Sequence, residues 1–106
     1  MISFNDFQKL ELKVAKIARV EKIEGSDKLL KLEVELDKET RIIVAGIAKD
    51  YKVKELLNKL IVIVANLEPK DIRGIKSEGM VLGAESEGGY FLLNVDEKVQ
   101  SGSKIL

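Results

Sequence analysis

The sequence predicts an all-β fold, a small five-stranded barrel with one short helix between strands 3 and 4 and a C-terminal extension. Three observations carry this expectation. Leu30, Leu32, Val34 and Leu36 alternate with Lys31, Glu33 and Glu35, the period of a half-buried strand. Segments rich in β-branched residues recur between turn-forming residues, and only residues 50–59 interrupt them with a helical pattern. Aromatic residues are 5% of a chain that is 45% hydrophobic, so Val, Ile and Leu must fill the core, which suits a closed sheet. At 106 residues the chain is long enough for one domain and too short for two.

The elements follow in order. Ser3 is an N-cap candidate for a helical turn over residues 4–9, with Asp6 in the first turn. Residues 10–23 lack Gly and Pro. Leu10, Leu12 and Val14 alternate, and then Ile17, Val20 and Ile23 recur at every third position. Either a helix or a long strand whose inward face changes would give this pattern. A straight strand of this length would span roughly 46 Å at ~3.3 Å per residue, so a small barrel needs it bent. The small Ala15 is the expected bend, and the bent strand is the preferred reading. Gly25, Ser26 and Asp27 form a turn. The alternating second strand and a third at residues 41–45 read as a hairpin across the polar residues 37–40. Residues 50–59 read as a short helix or helical turn and precede a buried fourth strand at 60–65, which Pro69 ends. Residues 70–77 are a connection or a short irregular strand, and 80–84 the fifth main strand. This is the element order of an OB barrel. The expected division is residues 1–9 for the N-terminal turn, 10–85 for the barrel and 86–106 for the extension.

Composition narrows the chemistry. Without cysteine there is no disulfide framework and no thiolate metal site. Without histidine the usual general base and the commonest metal ligand are missing. A Ser77–Lys76 pair fails as a nucleophile and base, because neighbours on an extended chain point to opposite faces. Glu33 with Glu35, and Glu85 with Glu87, read as solvent-facing charge. Neither a glycine-rich dinucleotide loop nor a Walker-type loop is present. A non-enzyme without cofactor or metal is therefore expected. Residues 1–10 carry no secretory signal and the longest apolar run is far too short for a membrane helix, so a cytoplasmic protein with no membrane partner is expected. Charged residues are 34% of the chain, the direction taken by heat-adapted proteins.

The sharpest chemical signal lies in residues 65–82. After the Asn66-Leu67 break and Pro69, Lys70, Arg73 and Lys76 recur at every third position, followed by Ser77, Gly79 and Met80. Clustered cations neutralise successive phosphates of a nucleic acid and release counterions. Asn66 both donates and accepts, which suits a base edge or a ribose hydroxyl. The plainer alternative is a solvated loop. The formal net charge of zero counts against a general nucleic-acid binder, although surface distribution decides the local field. Tyr51 and Phe91 are the stacking candidates, with the core as the alternative place for either, too few to wrap a long single strand. A folded RNA read through its backbone fits better.

Four separated blocks resemble the tRNA-binding domain family, found at the C-terminus of methionyl-tRNA synthetases and as small free-standing proteins. Residues 6–17, Asp-Phe-Gln-Lys-Leu-Glu-Leu-Lys-Val-Ala-Lys-Ile, are similar to its DFxKLDLRVxKI opening. Asp27-Lys28-Leu29, then residues 41–47, then Asn66-Leu67, Pro69, Arg73-Gly74, Ser77 and Gly79-Met80 follow in the family's order. The resemblance implies an OB barrel that binds tRNA by shape, with little sequence specificity. It implies a homodimer built through residues 90–106, helped by Phe4 and Phe7. It carries Lys28, Arg41, Asn66, Lys70, Arg73, Ser77 and Met80 to the RNA face, with packing at the barrel rim as the alternative role of Met80 and Ser77. Lys49 and Lys76 join them from charge and position alone. Two departures weaken the patch. Ile23, Glu24, Gly25 and Ser26 stand where the family has a His-Pro-Asn-Ala-like turn, and Glu68 stands where Lys is common.

The expected function is a non-catalytic tRNA-binding module that assists a methionyl-tRNA synthetase as an appended domain or separate subunit. The initial Met favours a free-standing chain. A protein-binding OB dimer, such as a chaperone or a synthetase-docking module, is the rival. The chaperone branch generally lacks the VAGI and SxGM blocks present here.

Overall fold

One long strand organises the chain. The computed structural model describes all 106 residues. A one-turn helix α1 (Phe4–Gln8) leads into β1 (Leu12–Lys22), β2 (Leu30–Leu36), β3 (Glu39–Ala45), a short helix α2 (Val53–Leu56) and β4 (Leu60–Val64). Then come β5 (Lys70–Ile72), β6 (Ile75–Ser77), β7 (Met80–Val81), β8 (Gly83–Ser86) and β9 (Gly89–Leu92). The main sheet has the order β3-β2-β1-β4-β7 and is antiparallel throughout, while β5-β6 and β8-β9 are separate hairpins. No helix is long and apolar enough to cross a membrane.

β1 is the bent strand. Its first half pairs with β4, Leu12 opposite Val64, and its second half with β2, Lys22 opposite Leu30; Lys16 is a partner in both ladders. The register slips between Ile17 and Arg19. The bend therefore sits at the small Ala18, three residues beyond the expected Ala15, which is instead wholly buried in the core. A bulge strands the backbone groups beside it. Here the α2–β4 connection satisfies them, with Asn58 N–H donating to Ile17 C=O (2.8 Å) and Ile17 N–H to Lys59 C=O (3.0 Å).

The core is aliphatic, as the composition requires. Ala15 and Ile17 meet Leu30, Leu32, Val34 and Leu36 of β2, Ile43 and Ala45 of β3, and Ile61 and Ile63 of β4. Leu56 of α2 and Leu92 of β9 complete the cluster. The strictly alternating burial of β2 is the pattern read from its sequence. Ser3 caps α1, its Oγ accepting from Asp6 N–H at 3.1 Å.

Two stretches differ from expectation. Residues 70–77 form a regular hairpin, with Lys70 opposite Ser77 and Ile72 opposite Ile75. The fifth sheet strand ends at Val81, and Ala84 belongs to the next hairpin. The tail returns to the barrel, where Gly102 N–H donates to Val14 C=O (2.7 Å), Val14 N–H to Ser103 C=O (2.9 Å) and Ile105 N–H to Leu12 C=O (2.8 Å). This covers the free edge of β1 and explains why Val14 is buried although it points away from the core.

Leu32 is wholly buried at the middle of β2. Leu32→Ala is expected to cost about 2–5 kcal/mol in urea denaturation, by lost transfer energy and an unfilled cavity.

Candidate nucleic-acid interface

The β5–β6 hairpin has a two-residue tip, Arg73-Gly74, with φ of 53° and 81°, the geometry of a type I′ turn. Asp71 Oδ1 accepts from Gly74 N–H at 2.8 Å and holds it. Side chains alternate along each strand, so Lys70, Ile72, Ile75 and Ser77 share one face, and Asp71 and Lys76 the other. The three-residue spacing of cations therefore does not make a single cluster. Lys70 faces the barrel rim, Arg73 occupies the tip, and Lys76 lies on the outer face opposite Asp71.

The tip meets the β1–β2 loop. A Cβ on Gly25 would lie 3.3 Å from Arg73 Nη1, so the guanidinium rests on bare backbone. The departure from the family's turn at this position thus makes room for a cation. Ser26 Oγ accepts from Leu29 N–H (3.1 Å) and Lys28 N–H (3.3 Å), which fixes the turn carrying Lys28. Lys28 C=O accepts from Ala48 N–H (2.9 Å) and brings Lys49 to the same loop. Lys49 itself lies 3.9 Å from Asp27. Lys28, Lys70, Arg73 and Lys76 form no ion pair.

Ser77 is the one polar residue among the buried set, 4% exposed. The N–H of Val44 points out from the edge of β3, and Ser77 Oγ accepts from it at 2.9 Å. Glu78 N–H donates to Ile42 C=O at 2.8 Å. At Gly79 (φ 136°) a Cβ would stand 3.1 Å from Val64 C=O and 3.2 Å from Ile43 Cδ1, so no larger residue fits. The Ser-Glu-Gly-Met block therefore closes the barrel between β3 and β7. Beside it a groove of about 460 Å³ runs between Leu67, Lys70, Ile72, Ser77 and Met80. Met80 is 47% exposed there.

Arg41 and Asn66 are held by the protein itself. Arg41 Nε donates to Glu39 Oε2 at 2.8 Å, and Nη1 donates to the Ala65 carbonyl. Asn66 Oδ1 accepts from Glu11 N–H (2.8 Å) while Nδ2 donates to Lys9 C=O (2.6 Å), clamping the start of β1 to the end of β4. The sequence motif marked both residues; their ties to distant backbone carried no local signal. Tyr90, expected only as part of the C-terminal extension, lines a groove along β3 with Met80 and Gly46. Burial, and then neighbouring Tyr51, push its phenol pKa upward. A larger open cleft of about 620 Å³ includes Lys16, Lys59, Asn94 and Glu97, mixes both signs of charge, contains none of the candidate RNA-binding residues and is lined in part by the C-terminal extension.

Asn66→Ala is expected to lower stability by about 1–2 kcal/mol in chemical denaturation, through loss of the two backbone ties. The Arg41 hydrogen bond, and then its charge, hold the exposed Glu39 carboxyl below the usual carboxylate range, with a smaller effect from Lys13. A depressed folded-state value stabilises the pair above the unfolded carboxyl's range and loses that contribution as pH falls through the folded value. Acidification should therefore free the Arg41 guanidinium, read as a shift of its Nε–H resonance; Glu39→Gln should produce the same shift at neutral pH.

A family profile described as a putative tRNA binding domain matches residues 12–104. The methionine–tRNA ligase of Caldanaerobacter subterraneus subsp. tengcongensis is 50% identical over 104 residues, 98% of this chain and 16% of that protein. The ligase of Pyrococcus horikoshii is 48% identical over 98% of this chain and 14% of its own length. The chain thus spans only a small part of these relatives. Among solved structures, a MetRS related protein from Pyrococcus horikoshii superposes with a TM-score of 0.94 at 37% identity, covering 100% of this chain and 98% of that one. A CsaA chaperone protein from Picrophilus torridus gives 0.92 at 36% identity, covering 100% of both. With the profile matched across nearly its whole length, the chain belongs to the tRNA-binding domain family and is related to the C-terminal region of methionyl-tRNA synthetases.

Proposed function

We propose that this domain binds folded tRNA without catalysing a reaction, and assists a methionyl-tRNA synthetase as an appended domain or separate subunit in the cytoplasm. The observation that carries the reading is the meeting of the hairpin tip with the β1–β2 loop. Arg73 and Lys28 stand there unpaired, with Lys70 unpaired at the rim beyond. Hydrogen-bonded turns hold the backbone that carries these cations, so the ordering cost of binding falls on their side chains. Lys49 and Lys76 flank them, and Ser77 and Met80 line the adjoining groove. Arg41 and Asn66 serve this face by holding its frame. Raising tRNA concentration near a synthetase is a matter of tethering and needs no catalytic group.

The domain acts as a homodimer in this reading. Phe4, Phe7, Leu10, Ile105 and Leu106 line an apolar groove of about 200 Å³ where the two ends of the chain meet. Phe4 is 71% exposed and Leu106 96%. A two-fold axis through this face would bury these side chains and set two cationic rims on one assembly.

The similarity to CsaA chaperones supports a second reading, in which an unfolded polypeptide is the ligand. Salt separates the two. Titration with unmodified tRNA should show affinity falling steeply with salt. Lys70→Ala with Arg73→Ala should reduce the log–log slope by roughly 0.7–0.9 for each phosphate that is no longer neutralised, with the fold intact. Absence of tRNA binding at low salt, or salt-insensitive capture of an unfolded chain instead, would overturn the RNA reading. Light scattering should give the mass of two chains, and Phe4→Glu with Phe7→Glu the mass of one.

A further inference from the structure

A second groove continues from the first along the edge of β3. Val44 and Met80 line both. The second, about 290 Å³, runs past Gly46 and Ile47 to Tyr90. Its polar equipment is a short piece of strand edge. On β3, the Ile42 carbonyl and Val44 N–H point away from β2, and Glu78 and Ser77 take them up. By strand alternation the Val44 carbonyl and Gly46 N–H point the same way. The Gly46 N–H finds no acceptor within the chain, and the Val44 carbonyl joins no strand ladder on that side, although β6 and β7 pass close to β3 there.

The free edge is short. Ser77 and Glu78 occupy it before Val44, and after Gly46 the chain turns, with Asp50 and Tyr51 N–H both donating to Ile47 C=O at 3.0 Å. A peptide strand adding to a sheet needs a repeating series of main-chain partners. Here one donor and one acceptor stand side by side, which suits a single flat heterocycle. Every nucleobase carries an adjacent donor and acceptor on its pairing edge. The apolar walls are firm. Tyr90 packs on Gly83 so closely that a Cβ there would lie 2.4 Å from its Cζ, and its N–H donates to Asp50 Oδ1 at 3.1 Å. Lys70, which shares the adjoining groove with Glu68, supplies a cation for the nucleotide's phosphate.

We propose that this groove holds one unstacked base of the bound RNA, its pairing edge on Gly46 N–H and the Val44 carbonyl and its ring packed against Met80 and Tyr90. The proposal rests on the tRNA-binding reading and extends it from backbone contacts to a base subsite.

The test uses a short single-stranded RNA containing one 2-aminopurine, whose fluorescence reports its stacking environment, beside a tRNA titration on the same protein. The wild type should change the probe's emission. Tyr90→Phe, which keeps the ring, should do the same. Tyr90→Ala should weaken oligonucleotide binding about tenfold. Gly46→Pro removes an N–H that has no partner within the chain, at a position where a Cβ would meet nothing nearer than a Leu29 methyl at 3.9 Å; its ring also fixes φ and restrains Ala45, so its melting temperature is read beside its binding. It should abolish the emission change with the melting temperature and the tRNA salt slope retained. Wild-type response in both Tyr90→Ala and Gly46→Pro would overturn the base subsite and leave tRNA binding standing. Displacement of the probe by an extended apolar peptide as tight as the RNA would overturn it in favour of a protein ligand. No binding of tRNA by the wild type would remove the reading beneath it.

Discussion

The bend in β1 is the constraint on which the remaining structure depends. A strand of eleven residues cannot run straight through so small a body and still offer one face to a single core. By slipping register at Ala18, it gives one half to β4 and the other to β2. The released backbone groups at Ile17 then need partners, and only the turn before β4 reaches them. That requirement places β4, and the end of β4 places Asn66 beside the start of β1, where Ala65 N–H also donates to Glu11 C=O at 2.8 Å. Arg41 on β3 reaches the Ala65 carbonyl and ties the far edge of the sheet to the same point. One bulge thus propagates through hydrogen bonds that no local segment could satisfy alone.

The charge distribution follows from this frame. The chain is neutral overall, yet neutrality is not uniform. Lys9, Arg19, Arg41 and Lys49 are each matched by a carboxylate, Asp6, Glu21, Glu39 and Asp27 in turn. Most of the 18 cations form no ion pair, and what sets Lys28 and Arg73 apart is their place on two turns that meet. A local positive field on a neutral molecule needs only this segregation. Exposed pairs contribute little to stability, so leaving these cations unpaired costs the fold almost nothing.

Sequence periodicity captured what is local. The alternation of β2 was legible residue by residue, as was the helix before β4 and the cap at Ser3. The three-residue spacing of Ile17, Val20 and Ile23 was a true sign of a changing face, but Ala15 and Ala18 could each have marked the bend, and hydrogen bonding from Asn58 and Lys59 decides between them. The hairpin at residues 70–77 was obscured because its tip opens with Arg73, a residue with no preference for a left-handed conformation; the usual signal there is Asn or Asp. Spacing therefore gathered Lys70, Arg73 and Lys76 into one set that strand alternation divides. Family pattern marked Arg41, and family pattern with side-chain chemistry marked Asn66, but their backbone partners lie 24 to 57 residues distant, beyond any window of local reading. Tyr90 enters its groove through the β8–β9 hairpin, whose turn Gly88 and Gly89 mark in the sequence, while the groove that Tyr90 lines along β3 has no local signal.

The closure of the barrel explains why a groove exists beside it at all. A sheet that closes by a continuous ladder uses every edge group of both strands and leaves none for a ligand. Here β3 and β7 never pair directly. A serine hydroxyl stands in for one backbone acceptor, and a single amide, that of Glu78, supplies one donor. These two bonds suffice to seal the core, because Gly79 lets the chain cross against Ile43 and Val64 without a gap. They also end the pairing at Val44, so that the edge beyond it stays open between Met80 and Tyr90. Replacing the side-chain bond by a full strand pair would strengthen the closure and cover the Gly46 amide. The weaker seam is therefore the feature that leaves this edge open, beside a groove that Lys70 also lines.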